Sequence, residues 1–203
     1  MGSAYSQVLA DAQENEGTLV LEGSKLKSKE LPGLVTKLAA ALPGLHTLEA
    51  RSCRLKALPA NVAELAQLRT LRLADNKLAG LPAELAACSA LQELDLSRNG
   101  LLAAVPDEVR ELAALVQLDM TGTQAAAFPP AQHSKHYHSL ERLVLAQCQF
   151  AAFPTNVCAL LGLTHLNLNE NGIATLPAAE LGRLVNLREL HVRGNQISEV
   201  PPT

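Results

Sequence analysis

The sequence predicts an α/β solenoid, with one parallel sheet on its inner curve and short helical or 3₁₀ turns on its outer curve. Three observations predict it. A phrase recurs along the chain, opened in turn by Leu45, Leu68, Leu91, Leu115, Leu140, Leu163 and Leu187; repetition at such a period signals a repeat architecture. Inside each phrase apolar residues first alternate with period two and then recur at helical spacing. The 203 residues are 48% apolar but only 2% aromatic, with no Trp, so the core must be aliphatic.

The phrase itself is explicit. Leu68 to Ala90 reads LRTLRLADNKLAGLPAELAACSA, and Leu163 to Asn186 reads LTHLNLNENGIATLPAAELGRLVN. The shared pattern is L-x-x-L-x-L-x-x-N-x-L-x-x-L-P-x-x-L-x-x-L. It resembles the leucine-rich-repeat family, of the 23-residue intracellular kind with a Leu-Pro step. The resemblance spans Leu45 to Pro201, and a degenerate phrase, LVLEGSKL from Leu19 to Leu26, extends it towards the N-terminus. It implies a horseshoe with the parallel sheet on the concave face and recognition of proteins or peptides there.

The elements follow in chain order. Residues 1–17 are expected to form an N-terminal capping helix. Tyr5, Val8, Leu9 and Ala12 follow helical spacing, and Gly17 supplies a natural C-cap. Residues 18–203 form the repeat domain, with one degenerate repeat, six full repeats and one truncated repeat. The L-x-L of each phrase is a short strand whose leucines, such as Leu71 and Leu73 or Leu94 and Leu96, face the core. The Leu-Pro step ends the strand, and L-x-x-L makes the outer turn. One repeat cannot bury its apolar face alone, so stacking must supply the core.

The ninth position of the phrases reads Ser24, Cys53, Asn76, Asn99, Thr123, Cys148, Asn171, Asn195. These small polar groups are expected to satisfy backbone inside the turn. Cys88 takes an apolar position held elsewhere by Leu65, Leu112 and Leu160, and Cys158 lies on an outer turn. All four cysteines read as reduced and structural. The sequence contains no Asn-x-Ser/Thr sequon, and the cysteine-rich caps usual in secreted relatives are not apparent. A cytoplasmic location is expected, with peripheral-membrane, cytoskeletal or ciliary association as variants.

The pattern breaks in two places. After Phe128-Pro129-Pro130 comes AQHSKHYHS, with Gln132 and Lys135 where apolar residues are expected. This reads as an exposed insertion on the outer face. His133, His136 and His138 are a weak metal candidate, since imidazoles suit zinc, copper and nickel; otherwise no metal or cofactor is expected. At the other break, Pro201-Pro202-Thr203 falls in mid-repeat, which predicts that a partner or further chain covers Ile197 and Val200.

Each strand exposes the residues flanking its core leucines. The central column reads Val20, Glu49, Arg72, Asp95, Asp119, Val144, Asn167, His191. The column before it ends in Glu93, Gln117, Arg142, His165, Glu189. The columns after it carry Arg51, Asn169 and Arg193, then Asp75, Arg98 and Glu170. Two charged patches result: Glu49, Arg51, Arg72, Asp75, Glu93, Asp95, Arg98 and Asp119, whose signs should pair internally, and His165, Asn167, Asn169, Glu170, Glu189, His191 and Arg193. Val144 and Ala146 lie between them. Such a mixed surface with Arg anchors suits a protein or peptide. Seventeen basic residues against twenty acidic ones give a net charge of −3, which disfavours nucleic acid. His165 beside Glu189 could serve as a general base, but no Ser or Cys nucleophile in those columns lies next to either His, so no enzymatic activity is expected.

The start, Met1-Gly2-Ser3-Ala4-Tyr5-Ser6, matches the N-myristoylation signal at Gly2. One acyl chain anchors only marginally, and Lys25, Lys27 and Lys29 could provide a second, basic signal. Membrane contact is expected only if Gly2 is acylated. The leading expectation is a non-enzymatic adaptor or scaffold using the concave face. The alternatives are a structural subunit of a ciliary or cytoskeletal assembly, docking through its outer turns and C-terminal edge, and a regulatory subunit in small-GTPase, phosphatase or ubiquitin-ligase signalling.

Overall fold

The computed structural model describes residues 10, 12, 14–15, 17–22, 30–130 and 137–199. Among the described residues eight strands pair in strict chain order, all parallel, into one sheet. They are β1 (Thr18–Glu22), β2 (Thr47–Arg51), β3 (Thr70–Arg72), β4 (Glu93–Asp95), β5 (Gln117–Asp119), β6 (Arg142–Val144), β7 (His165–Asn167) and β8 (Glu189–His191). The register is the one the phrase spacing predicts. Leu19, Leu48, Leu71, Leu94, Leu118, Leu143, Leu166 and Leu190 stand side by side. All but Leu190 are fully buried, and the residues on either side of them face outward.

The outer turns follow from the Leu-Pro step. Proline fixes its own φ near −65°, and Pro59, Pro82, Pro106 and Pro154, with φ between −61 and −76°, each precede a five-residue 3₁₀ helix. Apolar residues of these turns plug the core: Val62, Leu85 and Val109 one to a turn, and Val157 with Cys158 in the last. Two repeats use α-helix instead. Thr18 and Thr47, paired in register, lie further apart in sequence than any later pair, and the extra length forms α1 (Leu31–Ala41). Its apolar stripe, Leu31, Leu34, Val35 and Leu38, is buried. A single turn, α2 (Ala178–Leu181), serves the repeat before β8.

Side chains at the ninth position tie successive repeats together. Asn76 Oδ1 accepts the Cys53 and Leu55 N–H groups at 3.1 and 2.9 Å, while its Nδ2 donates to the Ala50 and Leu73 carbonyls at 2.7 and 2.9 Å. Asn99, Asn171 and Asn195 repeat the arrangement. Cysteine imitates half of it. The Cys53 thiol donates to the Leu21 and Arg51 carbonyls at 3.4 and 3.2 Å, and Cys148 to Met120 and Ala146 at 3.3 and 3.4 Å. All four cysteines are buried and unpaired.

A second column was not foreseen. Ser52, Asp75, Arg98, Gln147 and Glu170 have φ of 54 to 56°, and Gly122 and Gly194 have φ of 71 and 73°. The chain leaves each strand from β2 to β8 through one left-handed residue. In five of these seven repeats that residue carries a side chain, which costs roughly 1 kcal/mol.

The insertion after Pro130 needs a correction. Tyr137 begins a 3₁₀ turn, Tyr137–Ser139, and is only 5% exposed. It occupies the core position that Leu112 and Leu160 fill in neighbouring repeats, and its ring lies 5.7 Å from that of Phe128. An aromatic ring there replaces the aliphatic plug, so the segment rejoins the core at Tyr137. His133, His136 and the His138 side chain lie outside the described residues, as do Gly2, Lys25, Lys27, Lys29, Val200 and most of the expected capping helix. Of that helix, Ala10, Ala12 and Glu14 are helical, Ala12 is buried, and Gly17 turns the chain with φ +85°.

Candidate protein-interaction face

The concave columns predicted from the sequence are adjacent on the sheet, but the two patches behave differently. On β2–β4 the charges neutralise one another. Arg72, from the central strand of the three, donates Nε to Glu93 Oε1 at 2.7 Å and Nη2 to Glu93 Oε2 at 3.1 Å, and also donates Nη1 to Glu49 Oε1. The Glu93 and Glu49 hydrogen bonds hold the guanidinium charge still more firmly than usual. Arg51 reaches past β3, with Nη2 3.5 Å from Asp95 Oδ2 and Nε 3.7 Å from Glu49 Oε2. Arg98 lies 3.7 Å from Asp75, with both exposed.

Asp119 stands apart from this network. Its Oδ1 accepts the Thr121 N–H and hydroxyl at 2.8 and 2.7 Å, just as Asp95 Oδ1 accepts those of Ser97 at 3.0 and 2.6 Å. In these Asx turns the carboxylates brace the exit from the strand. Val144 is half-buried and Ala146 buried, which makes the smoother strip beside them.

On β6–β8 the balance reverses. Glu189 sits between two imidazoles, His165 Nε2 and His191 Nε2, each 3.2 Å away. The hydrogen bond from His191, then the charge of His165, holds the Glu189 carboxyl below the usual range. Strand register places His191 opposite Asn167, but the His191 ring turns to Glu189 on its own strand instead. Asn167 Oδ1 accepts the Asn169 N–H at 3.0 Å, and Asn169 Oδ1 accepts the Arg193 N–H at 2.7 Å. Gln147 donates to Glu170 at 2.8 Å. Arg142 and Arg193 are exposed, and their guanidinium groups make no ion pair among the described residues.

One hydroxyl near this patch escaped the sequence reading. Thr164, a position before the columns, places Oγ1 2.7 Å from His165 Nδ1. The chain hydroxyl–imidazole–carboxylate has the order of a nucleophilic triad. However, the Thr164 hydroxyl also donates to the Glu141 carbonyl at 3.0 Å, so it braces His165 against the neighbouring repeat. The x-x-T-H step before β7 was the signal available in the sequence. Among the described residues, no group of three or more His, Cys, Asp or Glu is placed to hold a metal ion, and no helix is long and apolar enough to cross a membrane.

Comparison with known proteins agrees with this geometry. A family model described as "Leucine rich repeat" matches residues 43–101, 66–124 and 138–197, together more than half of the chain. Ras guanine nucleotide exchange factor V of Dictyostelium discoideum is 32% identical over 194 residues, 89% of this chain. The chain spans only 9% of that relative's length. Among solved structures, the leucine-rich-repeat ectodomain of the Arabidopsis thaliana membrane receptor kinase GASSHO1/SCHENGEN3, in complex with CASPARIAN STRIP INTEGRITY FACTOR 2, superposes with a TM-score of 0.59 at 29% identity. That match covers 74% of this chain and 18% of the receptor chain. Stacked Leu-Pro phrases, one parallel sheet in chain order and these matches together show that the chain belongs to the leucine-rich-repeat family, whose fold is typically a protein-interaction module.

Proposed function

We propose that the chain is a non-enzymatic adaptor that holds a protein or peptide partner against its concave face. The observation that carries this reading is the polar surface at β6–β8, where the half-buried Asn167 and Asn169 side chains are fixed by hydrogen bonds from backbone N–H groups and Arg142 and Arg193 stand exposed. A pre-ordered surface loses little entropy when it binds. A cytoplasmic site of action is part of the proposal; four buried, unpaired thiols suit a reducing compartment.

The likeness to an exchange factor for Ras favours a second reading, a regulatory part in small-GTPase signalling. In that case the partner held would be a component of that system.

The test is affinity capture from native lysate with mass spectrometry, using three double variants as bait. Asp75→Lys/Arg98→Glu alters the concave face at β3–β4, Arg142→Glu/Arg193→Glu alters it at β6–β8, and Glu84→Arg/Glu108→Arg alters the outer turns. Circular dichroism confirms folding. The expected result is loss of a partner by a concave variant and its retention by the outer-turn variant. Loss confined to the outer-turn variant would overturn the reading.

A further inference from the structure

We infer that the ligand of the β6–β8 surface is an extended peptide segment bearing acidic side chains. This rests on the concave-face reading and narrows it to one half of the face and one chemistry.

The two halves differ in what they leave unsatisfied. On β2–β4 every arginine of the columns has carboxylate partners within 4 Å, and Asp95 spends Oδ1 on its own turn. Docking an acidic or basic chain there would first have to break existing pairs. On β6–β8 each of the acceptor side chains already has at least one donor. Asn167 and Asn169 both point their oxygens at backbone N–H groups. Glu189 is shared by two imidazoles, and Glu170 is held by Gln147. Beside the exposed Glu170 and Glu189 carboxylates, the groups with no ion pair or hydrogen-bond partner among the described residues are donors: the guanidinium groups of Arg142 and Arg193 and the amide NH₂ groups of Asn167 and Asn169. Glu141 and Arg188, one charge of each sign, are exposed beside the strands. A surface of donors calls for a ligand of acceptors.

Geometry selects an extended peptide among acceptor-rich ligands. Arg142 lies on β6 and Arg193 four residues beyond the register partner of Arg142 on β8. Two strand steps of about 4.8 Å and four rises of about 3.3 Å separate them by roughly 16 Å. That is about five residues of extended chain. Peptide carbonyls running between the arginines would face the two asparagine amides, and carboxylates at both ends would take the guanidinium forks.

The test is selection of a random twelve-residue peptide display library on the whole chain, with the three double variants above as parallel baits. Enriched peptides should carry Asp or Glu pairs about five residues apart. On Arg142→Glu/Arg193→Glu this acidic bias should vanish or turn basic, while Asp75→Lys/Arg98→Glu should retain it. Fluorescence anisotropy on the best acidic peptide should show at least about a tenfold weakening with Arg142→Glu/Arg193→Glu, and weakening by salt. No enrichment, enrichment without acidic bias, or acidic bias that survives Arg142→Glu/Arg193→Glu would overturn the inference. So would equal competition by a single-stranded oligonucleotide of the same charge. Peptides lost only on Asp75→Lys/Arg98→Glu would sink this inference and leave the concave reading standing; peptides lost only on the outer-turn variant would sink both.

Discussion

The guanidinium of Arg72 grips both carboxylate oxygens of Glu93, Nε on Oε1 at 2.7 Å and Nη2 on Oε2 at 3.1 Å, across adjacent parallel strands. With Glu49 on its other side, Arg72 clasps three repeats. A planar fork does this, and an ammonium cannot match two oxygens at once. Arg72→Lys should cost about 1 kcal/mol and Arg72→Ala about 1–2 kcal/mol, since the group is two-thirds covered. Urea denaturation measures both; equal stability of all three proteins would show the fork to be ornamental.

The buried amide of Asn99 holds more than the ion pairs do. It accepts the Leu78 N–H at 3.0 Å and donates to the Leu73 and Leu96 carbonyls at 2.9 Å each. Asn99→Ala strands those groups away from water and should cost about 3 kcal/mol. The converse holds at Cys148, whose thiol donates weakly and leaves the Ala125 N–H with a 3.4 Å contact to Thr123. Cys148→Asn should stabilise by about 1 kcal/mol in the same denaturation series.

Arg98 adopts a left-handed conformation, φ 54°, that glycine adopts freely. Its ion pair with Asp75 is long and exposed, and contributes close to nothing. Arg98→Gly should therefore raise stability by about 0.5–1 kcal/mol. The same change at Gln92, outside the positive-φ positions, should lower it. A thermal melt that falls with Arg98→Gly would refute the strain account.

Burial pushes the Cys88 and Cys158 thiols up to about 11. Native protein at pH 8 should consume a thiol reagent slowly and, once denatured, at four sites. The linkage has a definite sign. A pKa raised by folding contributes stability fully present below the unfolded value, about 8.5, and lost as pH rises towards 11. Midpoints of urea unfolding should drop across that window, and Cys88→Ser should change how steeply they do so.

How much of this could be read in the letters follows from what each letter controls. Strand register was legible because a leucine displaced by one residue would leave the core. The polar ninth column was legible because all eight of its entries are small and polar. Two features resisted. Tyr137 looked like part of a polar insertion, since only its spacing from Leu140 marks it as a core plug. The left-handed column hid behind Asp75, Arg98 and Glu170, although glycine at Gly122 and Gly194 in the same column was the clue. The columns of the concave face were readable, and so was the internal pairing of the β2–β4 charges; which side chain meets which was not. That depends on long side chains reaching across one strand or two, as Arg72 and Arg51 do.

The asparagine ladder also has a gap. Between Asn99 and Asn171 the tying positions are Thr123 and Cys148, which touch each other at 3.5 Å and reach backbone only through contacts of 3.3 Å or more. The sheet continues across this joint, but the amide cross-links do not. Pulled from its two ends, the solenoid should therefore part at the middle. Optical-tweezer traces would show a first rupture near β5–β6, with β2–β4 and β7–β8 yielding later as separate blocks.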